Sequence, residues 1–521
     1  MKSGHVPSGN THRFSEVPSV NIPRSTFDRS HGIKTTFDAG YLIPILVDEA
    51  VPGDTFKCKL TAFARMATPI YPVMDNLYIT SHFFSVPTRL VWENFTKMMG
   101  EQIDPGDSID YTIPTYSNTA NSVGEGTFFD HVGLPIGKTG IFTNISALPA
   151  RCNHLIWNQW FRDENLQDSL IVDIDDGPDG YSLYEDLQKR GKRHDYFTSA
   201  LPWAQKGQAT SLPLGTSAPV GGTPYMRRTS DDQPQGYINV VGTGNMEASL
   251  GAATNPGAGS ITGLTADLST ATAATVNQLI ESIAVQDLLS RDGRGGTRYP
   301  EIVLSHFGVT TPTAGWRSEY LGGGQQMINI SPIAQTSETT GTSPQGNLSA
   351  MGTASIHGHG FTKSFTEHSI ILGYISVRAD LNYQQGINRM WSRSTRYDFY
   401  FPALANLGEQ SILNKELFYN NDANDDLTFG FQERWSEMRY KPGLITGKFR
   451  SDATGTLDSW HLAQDFASLP GLNAAFIEDS PPVDRVVAVP SEPEFLFDGH
   501  FSYHCVRPMP LYSVPGLGNR F

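Results

Sequence analysis

Alternation of apolar and polar residues occurs near both ends of this chain. Residues 35–66 read TTFDAGYLIPILVDEAVPGDTFKCKLTAFARM, with a Pro-Gly-Asp turn signal at 52–54 between the alternating runs. Alternation with a period of two is typical of strands that bury one face. Strand signals return after residue 300, including EHSIILGYISVRADLNY at 367–383. We therefore expect a mainly β protein, in which distant segments of the chain form one antiparallel barrel.

Three stretches between these strands have helical spacing. Residues 88–100 and 151–165 place apolar side chains three and four positions apart. In the third stretch, Thr275 can cap VNQLIESIAVQDLL, whose apolar residues fall on one face, and RDGRGG at 291–296 can end that helix. We expect short helices within insertions of the barrel.

The segment 207–275 differs in composition from the rest of the chain. Its 69 residues contain eleven glycines but only six charged and two aromatic residues, Tyr225 and Tyr237. Such a segment has too little apolar surface to build a large core of its own. We expect it to be either disordered or held by packing against copies of itself.

Charge is sparse and unevenly distributed along the chain. Charged residues make up 17% of the sequence, and 53 acidic against 38 basic residues give a net charge of -15. A surface poor in charge favours subunit contact. Residues 1–34 nevertheless carry a net charge of +3 and contain three prolines, which predicts an extended basic arm. The basic residues of this arm are Lys2, Arg13, Arg24, Arg29 and Lys34.

No known signature of an enzyme or a cofactor site occurs. The glycine-containing stretches at 133–139, 443–448, 320–326 and 241–245 lack the spacing of nucleotide-binding loops, so we interpret them as turns or loops. His357 and His359 could face one metal, but a glycine-flanked turn is favoured. Three cysteines without a C-x-x-C pair predict buried, reduced thiols. We expect no catalytic residue, no metal and no cofactor, and the absence of a long apolar run predicts no membrane insertion.

The stretch RMWSRSTRYDFYFPAL at 389–404 allows two interpretations. Read as a strand, Trp391, Tyr397, Phe399 and Phe401 share one side and would face the barrel interior, which we favour for the aromatic residues. Arginines interleaved with aromatic rings are also typical of surfaces that bind single-stranded nucleic acid. The basic residues of this stretch are Arg389, Arg393 and Arg396, and both subunit carboxylates and phosphates would suit them.

Several long strings together resemble one viral family. They include RMWSRSTRYDFYFPALANLGEQ, RYKPGLITGKFRS, LDSWHLAQDF, PPVDRVVAV and the terminal RPMPLYSVPGLGNRF. With the N-terminal strand region and RDGRGGTRYPEIVLSHFGV, they are similar to the major capsid protein of the Microviridae, and most of all to its gokushovirus branch. The resemblance covers nearly the whole chain outside 207–275.

This resemblance implies an eight-stranded jelly-roll barrel with large insertions, spanning residues 35–521 and assembled into a T=1 icosahedral shell around circular single-stranded DNA. It implies that 207–275 is an insertion that forms a protrusion at the threefold axes and meets a receptor on the host. We take Gly207, Tyr225, Tyr237 and Thr275 as markers of this protrusion. A small basic DNA-condensing viral protein is an expected partner, and the chain would be made in the bacterial host cytoplasm before it enters the virion.

A shell of chains at -15 each would repel DNA unless positive charge were concentrated locally. Candidate contacts with DNA or with a neighbouring subunit are therefore the basic arm, Trp391 and the arginines Arg389, Arg393, Arg396, Arg507 and Arg520. The alternative function is a jelly-roll carbohydrate-binding protein or glycosidase, because tryptophans and acidic loops also suit sugars.

Overall fold

The computed structural model describes residues 23–117, 120–208, 276–310, 315–336, 339 and 345–512, together with the backbone of six short strands between 220 and 266. The strands are β1 Ser25–Asp28, β2 His31–Phe37, β3 Ile43–Ala50, β4 Thr55–Met66, β5 Leu77–Pro87, β6 Val220–Gly221, β7 Tyr225–Arg228, β8 Pro234–Val241, β9 Asn245–Leu250, β10 Gly259–Thr262, β11 Thr265–Ala266, β12 Glu319–Ala334, β13 Leu348–Ser364, β14 Ser369–Ala379, β15 Glu409–Leu413, β16 Thr428–Glu433 and β17 Phe495–Arg507.

Among the described residues, five α-helices are single turns of four residues and three are longer. They are α1 Phe95–Met98, α2 Phe128–His131, α3 Leu148–Ile156, α4 Val276–Arg294, α5 Tyr299–Phe307, α6 Asn414–Leu417, α7 Ser436–Arg439 and α8 Ala474–Ile477. The helices expected at 151–165 and after Thr275 are confirmed, although Thr275 itself lies outside the described residues. The helix expected over 88–100 is reduced to two short turns, because Trp92 is drawn into the core between them.

Nine strands form one antiparallel sheet that folds into two layers. One layer has the order β2-β17-β4-β13, with β1 also paired to β17, and the other has the order β12-β5-β14-β3. The β12–β13 hairpin joins the layers: its tip pairs with itself, and beyond the tip β12 pairs with β5 and β13 pairs with β4. This interleaved order is that of an eight-stranded jelly roll, so the predicted fold is confirmed.

The main core lies between the two layers. Strand β4 alternates between buried and exposed residues along its whole length, as the sequence predicted. Side chains from both layers meet there, for example Phe83 of β5 with Phe361 of β13 and Phe501 of β17, at ring-centroid distances of 5.5 and 6.3 Å. Cys58, Cys152 and Cys505 are free cysteines, and all three are buried, as the sequence predicted.

Strands β5 and β14 are buried on both faces, because a second core covers the outside of their layer. Helix α3 supplies part of this cover, and Arg151 fixes it. The Arg151 guanidinium is fully buried and donates to both carboxylate oxygens of Asp179, at 2.8 and 2.5 Å. A buried charge of this kind requires such a partner.

The predicted loop at 320–326 lies inside strand β12, so that expectation is wrong. The glycines serve close packing: a Cβ on Gly323 would lie 2.1 Å from the Ser81 carbonyl oxygen, and one on Gly324 would lie 2.5 Å from the His359 ring. His359 is held by Ser81 Oγ at 2.8 Å. The turn expected around His357 is also wrong, since that residue lies in β13 beside a β-bulge.

Hydrogen bonds of Glu494 hold the start of β17 in place. The carboxylate of Glu494 accepts the Ala39 N–H at 2.6 Å, and the Glu494 N–H donates to Asp38 Oδ1 at 3.1 Å. The Glu494 carbonyl accepts the Ala67 N–H at 2.6 Å. Burial is the main cause that raises the pKa of Glu494 to about 7; the neighbouring carboxylates Asp38 and Asp484 contribute to this rise, and the Ala39 N–H opposes it.

Residues 205–309 form a compact unit separate from the unit that contains the jelly roll. Within this second unit, β10-β7-β8-β9 form a four-stranded sheet, β11 pairs with β6, and α4 and α5 follow. No helix among the residues described is both long and apolar enough to span a membrane.

Candidate interaction surface

The segment 389–404 is a chain of short turns on the surface of the jelly-roll unit. Residues Arg389–Ser392, Arg396–Asp398 and Pro402–Leu404 each form one 3-10 turn. The interpretation of this segment as a strand facing the barrel interior is therefore wrong. The segment does not form a strand because its polar side chains bind nearby backbone groups and so compete with strand pairing.

Asp398 is the clearest of these competing side chains. Its carboxylate accepts the N–H groups of Thr395 and Ser394 at 2.6 and 3.0 Å, and the Thr395 hydroxyl at 2.8 Å. These bonds lower the pKa of Asp398 to about 2. At the preceding turn, Asn388 accepts the N–H of Met390 in the same way, at 3.0 Å. The segment is thus locked by local capping.

Capping leaves a series of large apolar side chains in solvent. Trp391 has an exposed fraction of 75% and Tyr397 of 67%. We call the whole group the aromatic surface: Met390, Trp391, Tyr397, Phe399, Tyr400, Phe401 and Leu407. Single exposed apolar residues are common, but a group of seven within 18 residues is typical of a contact surface.

Arg389 points away from solvent. Its Nη1 donates to a carboxylate oxygen of Glu416 at 2.9 Å and to the Ser411 carbonyl at 2.7 Å. Glu416 is buried and also accepts the Tyr196 hydroxyl at 3.0 Å and the Leu413 N–H at 3.0 Å. Burial raises the pKa of Glu416, and the positive charge of Arg389 opposes that rise. Arg389 therefore acts as the counter-ion of a buried carboxylate.

Arg393 and Arg396 also have partners within the chain. Arg393 lies 3.6 Å from the largely buried carboxylate of Glu437, and its guanidinium stands 5.6 Å from the Phe399 ring centroid. The Arg396 guanidinium stands 5.5 Å from the centroid of the Phe401 ring. These contacts orient the exposed rings. The sequence showed the arginines, but Glu416 and Glu437 lie too far along the chain to be recognised as their partners.

Arg507, another candidate, is part of the barrel. Its Nε and Nη2 atoms lie 3.0 and 2.7 Å from Asp54 Oδ2, and Nη2 also donates to the Glu49 carbonyl at 3.0 Å. The Asp54 side chain has no exposed surface. The guanidinium also stands 5.9 Å from the Phe56 ring centroid. Arg507 thus neutralises a buried carboxylate at the end of β17.

The described part of the predicted arm is attached to the barrel. Strand β1 and most of β2 fall within it, and both pair with β17. Arg29 forms a two-pronged pair with Asp48 at 2.5 and 2.8 Å, Lys34 lies 2.8 Å from Asp498, and Arg24 is exposed just before β1. Lys2, Arg13 and the C-terminal Arg520 lie outside the described residues.

The protrusion markers fall in the second unit. Gly207 adopts a φ of +95°, which favours glycine, and Tyr225 of β7 lies directly opposite Tyr237 of β8. In helix α4 the apolar residues Leu279, Ile280, Ile283 and Leu288 are between 41% and 58% exposed, so their stripe is not covered within the described residues.

A large cleft on the jelly-roll unit tests the carbohydrate alternative. It has a volume of about 1750 Å³ and is lined by β2, β3 and the segments 125–133 and 183–189. Its tryptophan, Trp157, is only 6% exposed, and the indole N–H donates to the Lys189 carbonyl at 2.9 Å. Sugar stacking needs an exposed ring face, so this cleft lacks the feature that the alternative requires.

Comparison with known proteins identifies the family. Residues 15–517 match the family model described as Capsid protein (F protein). The chain is 45% identical to Capsid protein VP1 of Bdellovibrio phage phiMH2K over 529 aligned positions, covering 98% of this chain and 99% of the relative. It is 41% identical to Capsid protein VP1 of Chlamydia phage 1, covering 99% of each chain, and 37% identical to Capsid protein VP1 of Spiroplasma virus 4, covering 97% of each.

These matches extend over nearly the whole of this chain and of its relatives. The expectation of a structural rather than a catalytic protein is confirmed, because the relatives are shell subunits and the family is not one of enzymes. A capsid protein assembles with copies of itself and is part of the virion. The chain belongs to the F-type capsid protein family of the Microviridae.

Proposed function

We propose that this chain is the subunit of a T=1 icosahedral shell that encloses the circular single-stranded DNA of a bacteriophage. The observation that carries the proposal is the aromatic surface, seven large apolar side chains left in solvent on a chain of a capsid family. Exposed apolar patches of this kind are typical of protein–protein interfaces. We assign a neighbouring copy of the chain as the partner of this surface.

The charges of the segment favour a protein partner over DNA. Single-stranded nucleic acid requires cations for its phosphates beside the rings that stack on its bases. Arg389 and Arg393 are instead paired with Glu416 and Glu437. The rings are left for apolar contact, and aromatic residues are enriched at the centres of such interfaces.

Positive charge for the DNA must then come from other sources. The basic arm, with Lys2, Arg13 and Arg24, and the tail with Arg520 are our candidates within the chain, and a small basic DNA-condensing viral protein would add to them. Synthesis of the subunit in the bacterial cytoplasm, where the genome is copied, fits this packaging.

We further propose that the insertion marked by 207–275 forms the surface protrusion that meets a receptor on the host. This insertion contains few charged residues, and the neighbouring helix α4 has an exposed apolar stripe. Both features support packing of the insertion against two further copies around a threefold axis. Three copies together could bury surface that one copy leaves in water.

Electron microscopy and nuclease protection of purified wild-type particles test the shell and its DNA. We expect uniform closed particles that protect single-stranded DNA from added nuclease. Tubes, open aggregates or solitary chains at high concentration would contradict the shell. Closed particles from an infected host that protect no DNA would contradict the packaging role alone.

A pair of variants tests the partner of the aromatic surface. Trp391→Ser with Tyr397→Ser removes two exposed rings without touching the ion pairs, so we expect folded subunits that do not close into shells. The matched control is Leu444→Ser, which removes a side chain 80% exposed elsewhere on the same unit. If the double variant forms shells that lack DNA, the rings contact nucleic acid instead.

A further inference from the structure

The solvent face of strand β4 carries two lysines that lie side by side. Along TFKCKLTAFARM the odd-numbered positions from Lys57 point outward, while the residues between them, such as Cys58 and Leu60, are buried in the barrel core. Lys57 and Lys59 therefore lie on one face, about 6.6 Å apart along the strand. Two adjacent ammonium groups repel each other unless an anion lies between them.

The strands on either side bring no carboxylate opposite these lysines. Lys57 lies between His504 of β17 and Thr362 of β13, and Lys59 lies between Ser502 and Gly360. Farther out, Asp28 of β1 lies opposite His504, at 3.7 Å from its ring nitrogen. This acidic group therefore lies beside His504, with that residue between it and Lys57 in the sheet.

The two other lysines in the strands of the barrel each form an ion pair. Lys34 is paired with Asp498 and Lys363 with Glu319, at 2.8 and 2.6 Å. Within the described ranges, Lys57 and Lys59 form neither an ion pair nor a cation–π contact, and both are exposed. Their charge is available to an external ligand.

The next row of the same face extends the polar surface. Thr61 lies between His500 of β17 and His357 of β13, and the bulge places Gly358 there with a φ of +76°. Imidazole, hydroxyl and glycine backbone groups offer hydrogen bonds without steric bulk. A long flexible anion could therefore lie directly on the sheet.

The same face of β4 also carries an exposed aromatic ring. Phe63, two positions beyond Thr61, is 44% exposed, and the Arg65 guanidinium stands 6.0 Å from the centroid of its ring. Lysines for phosphates followed by a ring for a base are the components of single-strand binding surfaces. All of them are supplied by one strand of the barrel.

We propose that this face, defined by Lys57, Lys59, Phe63, His357 and His500, binds the sugar–phosphate backbone of single-stranded nucleic acid without regard to sequence. The inference rests on the proposed packaging function and assigns it a surface. A protein partner fits less well, because lysine is depleted in the cores of protein interfaces and no large apolar residue lies directly opposite either lysine. The ligand class is a polyanion with unstacked bases.

Binding of oligothymidylate to purified protein, measured over a series of salt concentrations, tests the proposal. In Lys57→Gln with Lys59→Gln we expect weaker binding and a slope of log affinity against log salt that is smaller by about 1.4, since each lost phosphate contact on a single strand contributes about 0.7. Phe63→Ser should weaken binding while leaving the slope unchanged. The matched control is Lys138→Gln with Lys448→Gln, which removes the same charge from exposed sites on other segments of the chain.

An affinity and a slope equal to those of the control would overturn the inference. Normal oligothymidylate binding together with failure to form shells would also overturn it, because the lysines would then contact a neighbouring copy. The amount of nuclease-protected DNA in particles from infected cells distinguishes failure of this inference from failure of the proposed packaging function. If wild-type particles contain no DNA, the packaging role fails; if variant particles contain as much as wild type, only the assignment of this face fails.

Discussion

The guanidinium of Arg389 lies 2.9 Å from the carboxylate of Glu416, a side chain that is only 3% exposed. This pair connects the segment that carries the aromatic surface to the core around Tyr196, which donates its hydroxyl to the same carboxylate. The arginine holds the exposed rings in place and neutralises a buried charge. Its role is therefore within the subunit.

Arg389→Ala should lower the free energy of unfolding of the subunit by about 3 kcal/mol, because it leaves the Glu416 carboxylate buried without a counter-ion. Denaturant unfolding of dissociated subunits measures this change. In the double variant with Glu416→Gln, part of the loss should be recovered, since the buried charge is then absent. If the loss of stability in the double variant equals the sum of the losses in the two single variants, the pairing is contradicted.

Arg507→Ala should destabilise the barrel to a similar extent, by about 3 kcal/mol, because Asp54 has no exposed surface and would lose its counter-ion. Arg507→Lys should recover only part of this stability, since one ammonium cannot reproduce the Nε and Nη2 contacts. A melting curve of each variant gives the measurement. If Arg507→Ala melts like wild type but packages less DNA, the residue contacts the genome.

Glu494 should make the stability of the subunit depend on pH. Because burial raises its folded-state pKa from 4.5 to about 7, its contribution is fully present below pH 4.5 and is lost as the pH rises through about 7. The shift corresponds to about 3 kcal/mol. Glu494→Gln keeps an oxygen to accept the Ala39 N–H, so the variant should be less sensitive to pH than wild type between pH 5 and 8. Equal pH slopes for the two proteins would rule out this role.

Gly323→Ala should prevent normal pairing of β12 with β5, because the new methyl group would lie 2.1 Å from the Ser81 carbonyl oxygen. We expect a loss of about 3 kcal/mol, near the upper end for overpacking. Gly180→Ala is the matched control, since a Cβ there has no neighbour within 4 Å. The unfolding midpoints of the two variants are compared. Similar midpoints would show that Gly323 is not required for close packing.

The barrel could be predicted from the sequence because strand alternation is local. Strand β4 shows its period of two directly, and so does much of β17. The glycines at 322–324 could not be interpreted correctly, because the reason for them is the approach of Ser81 and Gly360 from distant strands. A glycine run signals a loop only when nothing else requires the missing side chain.

The strand prediction for the segment that carries the aromatic surface is wrong for a related reason. A period-two pattern in Trp391, Tyr397 and Phe399 resembles a strand, but the capping by Asp398 turns the backbone away from extended geometry. The lysines of β4 show the opposite case. Their alternation was visible, yet only the register with Ser502 and Thr362 reveals that no carboxylate faces them. The environment of these lysines is thus set by pairing between strands that are distant in the sequence.

Hydroxyl-radical footprinting of Trp391, read by mass spectrometry, tests most directly whether sister copies cover the aromatic surface. The ring is 75% exposed in the single chain, so it should be oxidised readily in dissociated subunits. In closed shells we predict strong protection of Trp391, while Leu444, far from the aromatic surface in sequence, serves as the reference. Equal oxidation of Trp391 in subunits and in shells would contradict the account.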